Sequence, residues 1–449
     1  MSGPLATWWL PFQGLPLFPE VLFSIAFLII LAMLGWTGIL FFRGLRADRE
    51  AVESGDDERF EWVFVVPALN EEVTIADSIE RLRQIEVERK RIVVVNDGSD
   101  DRTGEILASF DDADLTVIER RPPNARQGKA AALNHAYAEI RRNLPLDPDS
   151  TIICIVDADG RITPDSPGYV AHHFLDPQVG GVQSLVRIYN RHRVLTWFQD
   201  LEFSIYGHLF QAGRNRWGTA GMGGNGQYNR LSALSSVDTS SGKSGADRAP
   251  DPDGERLKVR SLGPWRDRLT EDQDLGLRLI LAGWRSRQEN RAQVDQQGLP
   301  GLRPLFRQRT RWSQGNLQAM GLVGPIGRSD LYPPARFELV VYLLMPVLQG
   351  IVGLSLLVAL VLAVGGTGIV SGSFWWLLFI YVLGFGGTVM GCLSARFSTE
   401  PDLAGLGKGL LSAQVYAFYS WLLWPVLLRS VARQTIGRDG WVKTAREKI

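Results

Sequence analysis

The sequence predicts an α/β cytosolic domain with a mostly parallel sheet, plus transmembrane helices toward both ends of the chain. Two patterns support this prediction: charge-free apolar stretches lie near both ends, and strand-like and helix-like segments alternate between them. Of 449 residues, 45% are hydrophobic and 21% charged, so the chain can bury more than one core. The 48 basic and 48 acidic side chains cancel, which argues against nucleic acid as a partner, because phosphate binding requires excess positive charge.

The first apolar stretch, residues 21–42, carries no charge and is long enough to cross roughly 30 Å of hydrocarbon. Arg43, Arg46 and Arg49 follow it, so the positive-inside rule places the start of the chain outside and the next segment in the cytosol. Residues 1–42 are therefore expected to form an N-terminal segment with a transmembrane helix. The residues that follow it, up to position 338, are expected to form the cytosolic domain.

The C-terminal region contains three more apolar stretches and a basic tail. The stretches are residues 339–364, 374–393 and 410–428, so residues 339–428 are predicted to hold the C-terminal transmembrane helices. Three crossings that begin in the cytosol would place the basic tail, residues 429–449, outside, against the positive-inside rule. Either the rule fails at the last helix, or one of these stretches is interfacial or re-entrant.

Four short runs rich in valine and isoleucine predict strands of the cytosolic domain: residues 61–67, 91–96, 115–119 and 151–156. Apolar residues at helical spacing follow the first run, where Asn70 is the expected N-cap, and also follow Gly128 and Lys129. Strands that alternate with helices in this way predict an open, mostly parallel sheet. Ligands of such sheets bind beyond the carboxyl ends of the strands.

Acidic residues follow two of these predicted strands. Asp97 ends the second strand, and Asp157 and Asp159 follow the fourth. An Asp-x-Asp pair at a strand end can bind Mg²⁺, which takes one or two carboxylates and completes its coordination with phosphate oxygens and water. Alone, such a pair is more often a solvated turn. Lys129 at a helix start adds a second indication, because an ammonium group and backbone N–H groups suit phosphate.

Two further carboxylates lie in a string that resembles a helix start. Thr270 and Gln273 fit a capping box ahead of an expected helix over residues 275–282. Glu271 and Asp272 are therefore either part of a well-formed helix start or functional carboxylates. A carboxylate in a first helical turn is expected to have its pKa lowered by the helix dipole, which weakens it as a base.

A string near residue 310 combines arginines with an aromatic ring. Arg309, Arg311 and Trp312 join two guanidinium groups, which match phosphate geometry, to an indole face that can support a sugar ring. The alternative is a string that lies at the level of the lipid headgroups. Residues 308–320 and residues 195–213 are therefore candidate interfacial helices, although residues 195–213 fit a core helix equally well.

Residues 235–260 are poor in apolar side chains and rich in serine, glycine, proline and aspartate. This composition predicts a flexible insertion within the cytosolic domain, which is expected to comprise residues 43–338. Cys154 and Cys392 lie far apart in apolar runs, which indicates neither a disulfide framework nor a metal cluster.

Seven strings follow one another in a single order along residues 61–320. They are Pro67-Ala-Leu-Asn70-Glu71, Asn96-Asp97-Gly98-Ser99, Gly128-Lys129, Asp157-x-Asp159, Gly224-Asn225-Gly226-Gln227, Thr270-Glu271-Asp272 and Gln308-Arg309-x-Arg311-Trp312. In this order they resemble the processive family 2 membrane glycosyltransferases. That group includes bacterial cellulose, hyaluronan, chitin-oligosaccharide and poly-N-acetylglucosamine synthases.

The resemblance implies a GT-A-like fold and an inverting transfer from a UDP-sugar donor to a growing β-linked glycan acceptor, with export of the polymer across the membrane. It implies Mg²⁺ or Mn²⁺ as the cofactor, Asp159 as the metal ligand and Asp272 as the catalytic base. By the same resemblance, the nucleotide and diphosphate are bound by Pro67, Asn70, Glu71, Asp97, Lys129, Asp157 and Arg311. The acceptor is bound by Gly224, Asn225, Gln227, Glu271, Gln308 and Trp312.

The resemblance also implies a multi-pass protein of a bacterial cell membrane, with the lipid bilayer as a partner and the catalytic domain in the cytosol. It leaves open a homo-oligomer or an accessory export partner. Ceramide glucosyltransferases carry a similar arginine–tryptophan string, so transfer of a single sugar to a membrane lipid is the alternative function. An NAD-dependent oxidoreductase is disfavoured, because the glycine motif at residues 221–226 comes late and precedes no predicted helix.

Overall fold

The structure, a computed structural model, describes residue 12 and residues 15–50, 54–241, 262–366 and 374–438. Its strands are β1 (Glu61–Ala68), β2 (Lys90–Asn96), β3 (Leu115–Glu119), β4 (Thr151–Ile155), β5 (Arg161–Ile162), β6 (Val179–Ile188), β7 (Gln227–Arg230) and β8 (Arg285–Gln296). Its α-helices are α1 (Leu17–Arg49), α2 (Ile75–Arg83), α3 (Thr103–Ala108), α4 (Lys129–Asn143), α5 (Ser166–Phe174), α6 (Val194–Ile205), α7 (Ala212–Arg214), α8 (Leu231–Ser236), α9 (Glu271–Leu281), α10 (Leu302–Ala319), α11 (Val323–Gly327), α12 (Pro333–Val364), α13 (Phe374–Phe397), α14 (Leu403–Ser420) and α15 (Leu423–Thr435). A π-helical turn, Tyr206–Gln211, continues α6.

The eight strands form one mixed sheet in the order β3-β2-β1-β4-β7-β6-β8-β5. β1 pairs in parallel with β2 and β4, β2 pairs in parallel with β3, and β6 pairs in parallel with β8. β7 runs antiparallel between β4 and β6. The four predicted strands and the mostly parallel sheet are thus confirmed. Because β1, β2 and β4 are parallel neighbours, their carboxyl ends share one edge of the sheet.

Apolar side chains cover both faces of the sheet. On β1, Trp62 and Phe64 belong to one buried cluster, together with residues of α2 and α5. The intervening Val63 and Val65 belong to the opposite cluster, together with residues of α4 and α9. This alternation is expected of a strand that is buried on both faces, and it explains why the run of residues 61–67 is almost wholly apolar.

Four helical stretches of the described chain are long and apolar enough to cross a membrane: Leu17–Arg49, Pro333–Val364, Leu378–Phe397 and Leu403–Thr435. The fourth stretch is not one continuous helix. α14 ends at Ser420 and α15 begins at Leu423, with a turn at Trp421 and Leu422 between them. The apolar stretch over residues 410–428 is therefore interrupted near its middle.

The helix predicted within residues 195–213 joins the sheet domain to the apolar helices. Leu201 and Ile205 of α6 and Leu209 of the π-helical turn are buried with Leu40 of α1 and Cys392 of α13. The apolar face of this segment thus packs against two candidate membrane helices.

α15 turns back to the sheet domain. Ser430 Oγ lies 2.7 Å from Ser313 Oγ of α10, and Arg433 Nε donates to Gln314 Oε1 at 3.1 Å. Near the end of α14, the Tyr419 hydroxyl donates to Glu202 Oε2 of α6 at 2.9 Å. The segment from the end of α14 to the end of α15 therefore lies along helices of the sheet domain.

Two local predictions are wrong. Asn70 does not cap α2, which begins at Ile75; it has a left-handed φ of 55°, and its Nδ2 donates to Asp100 Oδ1 at 2.6 Å. Thr270 does not form the capping box, because its Oγ1 donates to Gln273 Oε1 at 3.1 Å. Residues 242–260 of the predicted insertion and residues 439–449 of the basic tail lie outside the described residues.

Candidate active site

The predicted acidic residues follow strands that lie side by side. The Asp97 backbone N–H, just after β2, donates to Ala68 O at the end of β1 at 2.8 Å. Asp157 and Asp159 follow β4, which is the other parallel neighbour of β1. Parallel pairing therefore brings residues that are 60 positions apart in the chain to one edge of the sheet, as expected for a ligand site of this architecture.

Lys129, the first residue of α4, lies at the centre of a charged cluster. Its Nζ is 2.6 Å from Asp157 Oδ1 and 3.8 Å from Glu271 Oε1. Burial alone would lower the pKa of Lys129, but the carboxylates of Asp157, Glu271 and Asp272 raise it above its ordinary value. The ammonium group therefore stays charged and holds carboxylates from the end of β4 and the start of α9 in one place.

Glu271 and Asp272 occupy the first turn of α9 beside this ammonium group. Burial raises the pKa of Glu271 to about 7, although Lys129 acts in the opposite direction. Burial also raises the pKa of Asp272 above its ordinary value, again against the effect of Lys129. The expectation that the helix dipole lowers the pKa of Asp272 is thus wrong, because loss of solvent outweighs the dipole. A raised pKa makes Asp272 a better proton acceptor.

The loop before β7 contacts the same cluster. Gly224 has a φ of +80°, and a Cβ atom added to it would lie 2.8 Å from Asp272 Oδ2. Asn225 Oδ1 accepts a hydrogen bond from the Asp157 backbone N–H at 3.0 Å. Two residues that the resemblance assigns to the acceptor thus lie against the predicted base and the predicted donor-binding carboxylate.

Asp159 is buried at the same sheet edge, where its Oδ2 accepts a hydrogen bond from the Gln297 backbone N–H at 3.0 Å. Among the described residues, no group of three or more His, Cys, Asp or Glu side chains could hold a metal ion. The Asp159 carboxylate could nevertheless hold Mg²⁺ or Mn²⁺ as a single protein ligand. Such ions commonly take one or two carboxylates and complete their coordination with substrate phosphates.

Three residues predicted for the nucleotide lie around the loops after β1 and β2. Asn70 and Asp100 bond each other through side chain and backbone, at 2.6 Å and 2.9 Å. The Glu71 backbone N–H donates to Thr103 Oγ1 at 2.8 Å. Pro67 is half-buried in β1. These bonds link the two loops beside Asp97 into one polar surface.

Asp97 itself is buried and is bound by two arginines. Its Oδ1 accepts from the Arg120 guanidinium and, at 3.1 Å, from the Arg126 backbone N–H. Burial raises the pKa of Asp97 even though Arg120 opposes the shift. Arg120 is not recognisable from the sequence, where it follows the third strand without any motif around it.

The residues of the string at 308–312 on α10 lie in two different environments. Burial is the main influence on the pKa of Glu271, and the Arg311 charge opposes it weakly. The Trp312 ring instead lies 4.2 Å from the Arg309 guanidinium and packs edge-on against Phe203 at 6.0 Å. Gln308 Oε1 accepts a hydrogen bond of 3.4 Å from Arg309.

Arg309 has no separate role in the sequence-based prediction. It is buried, and its Nη2 donates to Glu202 Oε2 at 2.6 Å, the same oxygen that accepts from Tyr419. The ion pair joins α10 to α6, and the hydrogen bond from Tyr419 joins α14 to the same carboxylate. It therefore couples the helix that carries Arg311 and Trp312 to an apolar C-terminal helix.

Gln227 does not belong to the site surface. It lies within β7 with no exposed surface, and its Nε2 donates to Asn229 Oδ1 at 2.9 Å. Its side chain is thus held within the sheet, and the acceptor role of Gln227 stays a prediction. The glycine motif at residues 221–226 leads into this strand rather than into a helix, which agrees with its exclusion as a dinucleotide fingerprint.

Comparison with known families gives two overlapping matches. The model described as glycosyl transferase family group 2 matches residues 152–389, which is more than half of the chain. The model described as glycosyl transferase family 2 matches residues 63–237. Together the matches run from β1 through the carboxylates of α9 to α13.

Two bacterial relatives each match more than half of this chain. The probable glycosyltransferase YdaM of Bacillus subtilis is 30% identical over 264 residues, which are 56% of this chain and 54% of that protein. The poly-beta-1,6-N-acetyl-D-glucosamine synthase of Staphylococcus aureus is 26% identical over 306 residues, which are 68% of this chain and 66% of that protein. The matched part thus spans about half to two-thirds of the length of these relatives.

A solved structure with a similar fold is the mannosyltransferase PcManGT from Pyrobaculum calidifontis in complex with GDP-Man and Mn2+. The TM-score is 0.58 at 18% identity, and the superposition covers 93% of this chain and 99% of that one. At this identity the likeness concerns the fold alone. It confirms the expected GT-A-like domain, and its coverage extends beyond that domain.

Proposed function

The chain belongs to family group 2 of the glycosyltransferases, and on that premise we propose that it transfers a sugar from a UDP-sugar to a growing β-linked polysaccharide, with inversion at the anomeric carbon. The reaction depends on Mg²⁺ or Mn²⁺, and the polymer is exported across the cell membrane. The observation that carries this proposal is the cluster in which Lys129 holds Asp157 and Glu271, with Asp272 and Gly224 against it.

The cluster suits a displacement at a sugar carbon. The acceptor hydroxyl oxygen forms a bond to the anomeric carbon, the bond from that carbon to the diphosphate oxygen breaks, and UDP leaves with the electron pair. Asp272 takes the hydroxyl proton, and its raised pKa makes it more basic than an exposed aspartate. Lys129 and Arg311 bear the positive charge that binds the departing diphosphate.

The donor is held by residues on either side of this cluster. Asn70, Glu71 and Asp97 line the loops after β1 and β2, where we place the uridine, and Pro67 precedes them near the end of β1. Asp157 contacts the nucleotide sugar, and Asp159 is the protein's ligand to the metal ion. A divalent ion held by Asp159 would supply positive charge beside the leaving diphosphate.

The acceptor approaches from the side of Gly224 and α10. Glu271 and Asn225 lie at the base of this approach, and Trp312 with Gln308 lies further along α10, where the indole supports the acceptor sugar. Arg309 fixes that tryptophan through its stacking contact and its ion pair with Glu202.

We place the sheet domain in the cytosol and propose three crossings, formed by α1, α12 and α13. α14 and α15 then lie along the cytosolic surface of the membrane, because Tyr419, Ser430 and Arg433 all bond helices of the sheet domain. The basic tail stays in the cytosol, which satisfies the positive-inside rule. A C-terminal reporter active only in the cytosol tests this topology: activity is expected, whereas a signal restricted to the outer face would contradict it.

Product length tests the main proposal. Purified protein in detergent, supplied with Mg²⁺ and each of a panel of radiolabelled UDP-sugars, is expected to release UDP with one of them and to form a ladder or high polymer. A single lipid-soluble product would show that transfer is not processive. Absence of UDP release with every donor would contradict UDP-sugar use itself.

A second candidate is transfer of one sugar to a lipid acceptor, and one observation favours it. A cavity of about 600 Å³ lies between α10 and α15, lined by Leu305, Phe306 and Val426 together with Arg303 and Arg429. An apolar cavity with arginines at its edge suits a lipid that carries a charged head. A single lipid-soluble product in the product-length assay is the outcome expected for this function.

A further inference from the structure

A second cavity, polar and about 700 Å³ in volume, lies at the end of α1. Its lining comes from the last turns of α1, from α5, β6 and the π-helical turn, from α7 and the two residues after it, from the middle of β8 and from the residues that follow α13. It therefore combines two candidate membrane helices with a strand of the catalytic domain. None of the residues assigned above to the donor, the acceptor or the metal lines it.

Four arginines line this cavity without a carboxylate partner within ion-pair distance among the described residues: Arg43, Arg46, Arg216 and Arg287. Arg43 lies over the Trp217 ring at 3.8 Å, and Arg287 donates to the Asn215 carbonyl oxygen. Arg46 and Arg216 are exposed at the cavity. Such a concentration of guanidinium groups favours an anionic ligand.

The carboxylates of the cavity are already bound elsewhere. Asp48 accepts from His208 Nδ1 at 2.7 Å and from Asn290 and Ser398 at 2.6 Å and 2.8 Å. Glu289 pairs with His173 and Arg291. Glu50 is exposed. The described lining thus holds six arginines against the three carboxylates Asp48, Glu50 and Glu289, which leaves an excess of positive charge.

The position of the cavity points to a lipid rather than a soluble anion. Arg43 and Arg46 are in the last two turns of α1, directly after its apolar stretch. Ile39 and Phe42, one turn before them, are 47% and 71% exposed, so an acyl chain can lie along α1 below the arginines. This is the depth at which phospholipid phosphates meet a membrane helix.

We propose that this cavity binds the phosphate headgroup of an anionic phospholipid of the cytosolic leaflet, with Arg43, Arg46, Arg216 and Arg287 as its ligands. The site holds α1, the end of α13 and the catalytic domain together around one lipid. The proposal rests on the membrane placement above and not on the sugar that is transferred.

Binding is tested on the full chain in detergent, by the rise in unfolding temperature as lipid is added. The probes are dioleoyl phosphatidylglycerol in mixed micelles, the same amount of dioleoyl phosphatidylcholine, and inorganic phosphate. The test variant is Arg46→Gln/Arg216→Gln, because both side chains are exposed and stand in no ion pair with the described carboxylates. The control variant, Arg89→Gln/Arg142→Gln, removes the same charge from exposed positions of the sheet domain.

Phosphatidylglycerol is expected to stabilise the wild type and the control variant. It should bind the test variant about 30-fold more weakly. The variant lacks two arginines, and this figure combines the contribution that each typically makes near an anionic lipid. If phosphatidylglycerol raised the unfolding temperature of the two variants equally, the proposed site would be overturned. An equal response to inorganic phosphate or to phosphatidylcholine would overturn its assignment to an anionic lipid.

Discussion

Gly224 lies directly against Asp272, so that a Cβ atom on Gly224 would stand 2.8 Å from Asp272 Oδ2 and 3.4 Å from Lys129 Nζ. Its φ of +80° also lies in the region that residues with side chains rarely adopt. The loop before β7 can therefore approach the charged cluster this closely only because position 224 has no side chain.

Replacement Gly224→Ala is expected to lower kcat by about 100-fold, because the methyl group displaces Asp272 from its position and small misplacements of reacting groups carry penalties of this size. The matched control is Gly223→Ala. A Cβ atom there would meet Gln183 Oε1 and Cδ at ordinary distances of 3.6 Å and 3.8 Å, so near-normal activity is expected. Steady-state kinetics with the preferred donor measure both variants, and equal loss in the two would contradict a specific contact with Asp272.

Replacement Asp272→Asn is expected to reduce transfer by about 10²- to 10⁴-fold, the usual contribution of a general base. The amide preserves the shape of the side chain and can still accept from the Gln273 backbone N–H, a bond of 2.8 Å in the native protein. UDP affinity, measured by titration calorimetry, should therefore change little. Equal loss of transfer and of UDP binding would remove Asp272 from the base role.

The residues at the edge of the sheet that holds the site are predictable from the sequence, because strand periodicity and strand ends are local features. Residues 91–96 and 151–156 are recognisable as strands from their own composition, and parallel pairing then places Asp97 and Asp157 at a common edge. The apolar helices are equally visible, because a long charge-free run is typical of a helix that crosses a membrane.

Other features depend on contacts that no local pattern records. Helix position alone predicts a lowered pKa for Asp272, whereas burial of the side chain raises this pKa in the folded protein. The string that contains Gln227 predicts an acceptor contact, but pairing of β7 within the sheet buries this side chain. The turn at residues 421–422 and the return of α15 to α10 become visible only when Ser430 and Ser313 meet across more than 100 residues.

The role of Asp159 in metal binding can be tested with Asp159→Asn. Asparagine keeps an oxygen that can accept from the Gln297 backbone N–H but removes the charge that a divalent cation requires. The Mg²⁺ concentration for half-maximal UDP binding is expected to rise at least about tenfold, equivalent to about 1.4 kcal/mol. Asp165→Asn, at an exposed position, serves as the control. An unchanged Mg²⁺ titration would exclude Asp159 as the ligand.

Glu271 should make the stability of the protein depend on pH. Its pKa in the folded protein is about 7, above the ordinary value of 4.5, so between these values the folded state binds more protons than the unfolded state. Stability contributed by the neutral carboxyl group is therefore present below about pH 4.5 and is lost as the pH rises through about 7.

Replacement Glu271→Gln removes that ionisation. The variant is expected to unfold at a higher temperature than the wild type at pH 8 and at nearly the same temperature at pH 4, because at pH 4 the Glu271 carboxyl is mostly neutral in both the folded and the unfolded wild type. Thermal unfolding in detergent at the two pH values measures the difference, with the exposed Glu58→Gln as a control that should leave it unchanged. A variant less stable than the wild type at pH 8 would mean that attraction to Lys129, 3.8 Å away, outweighs the cost of burying the Glu271 charge.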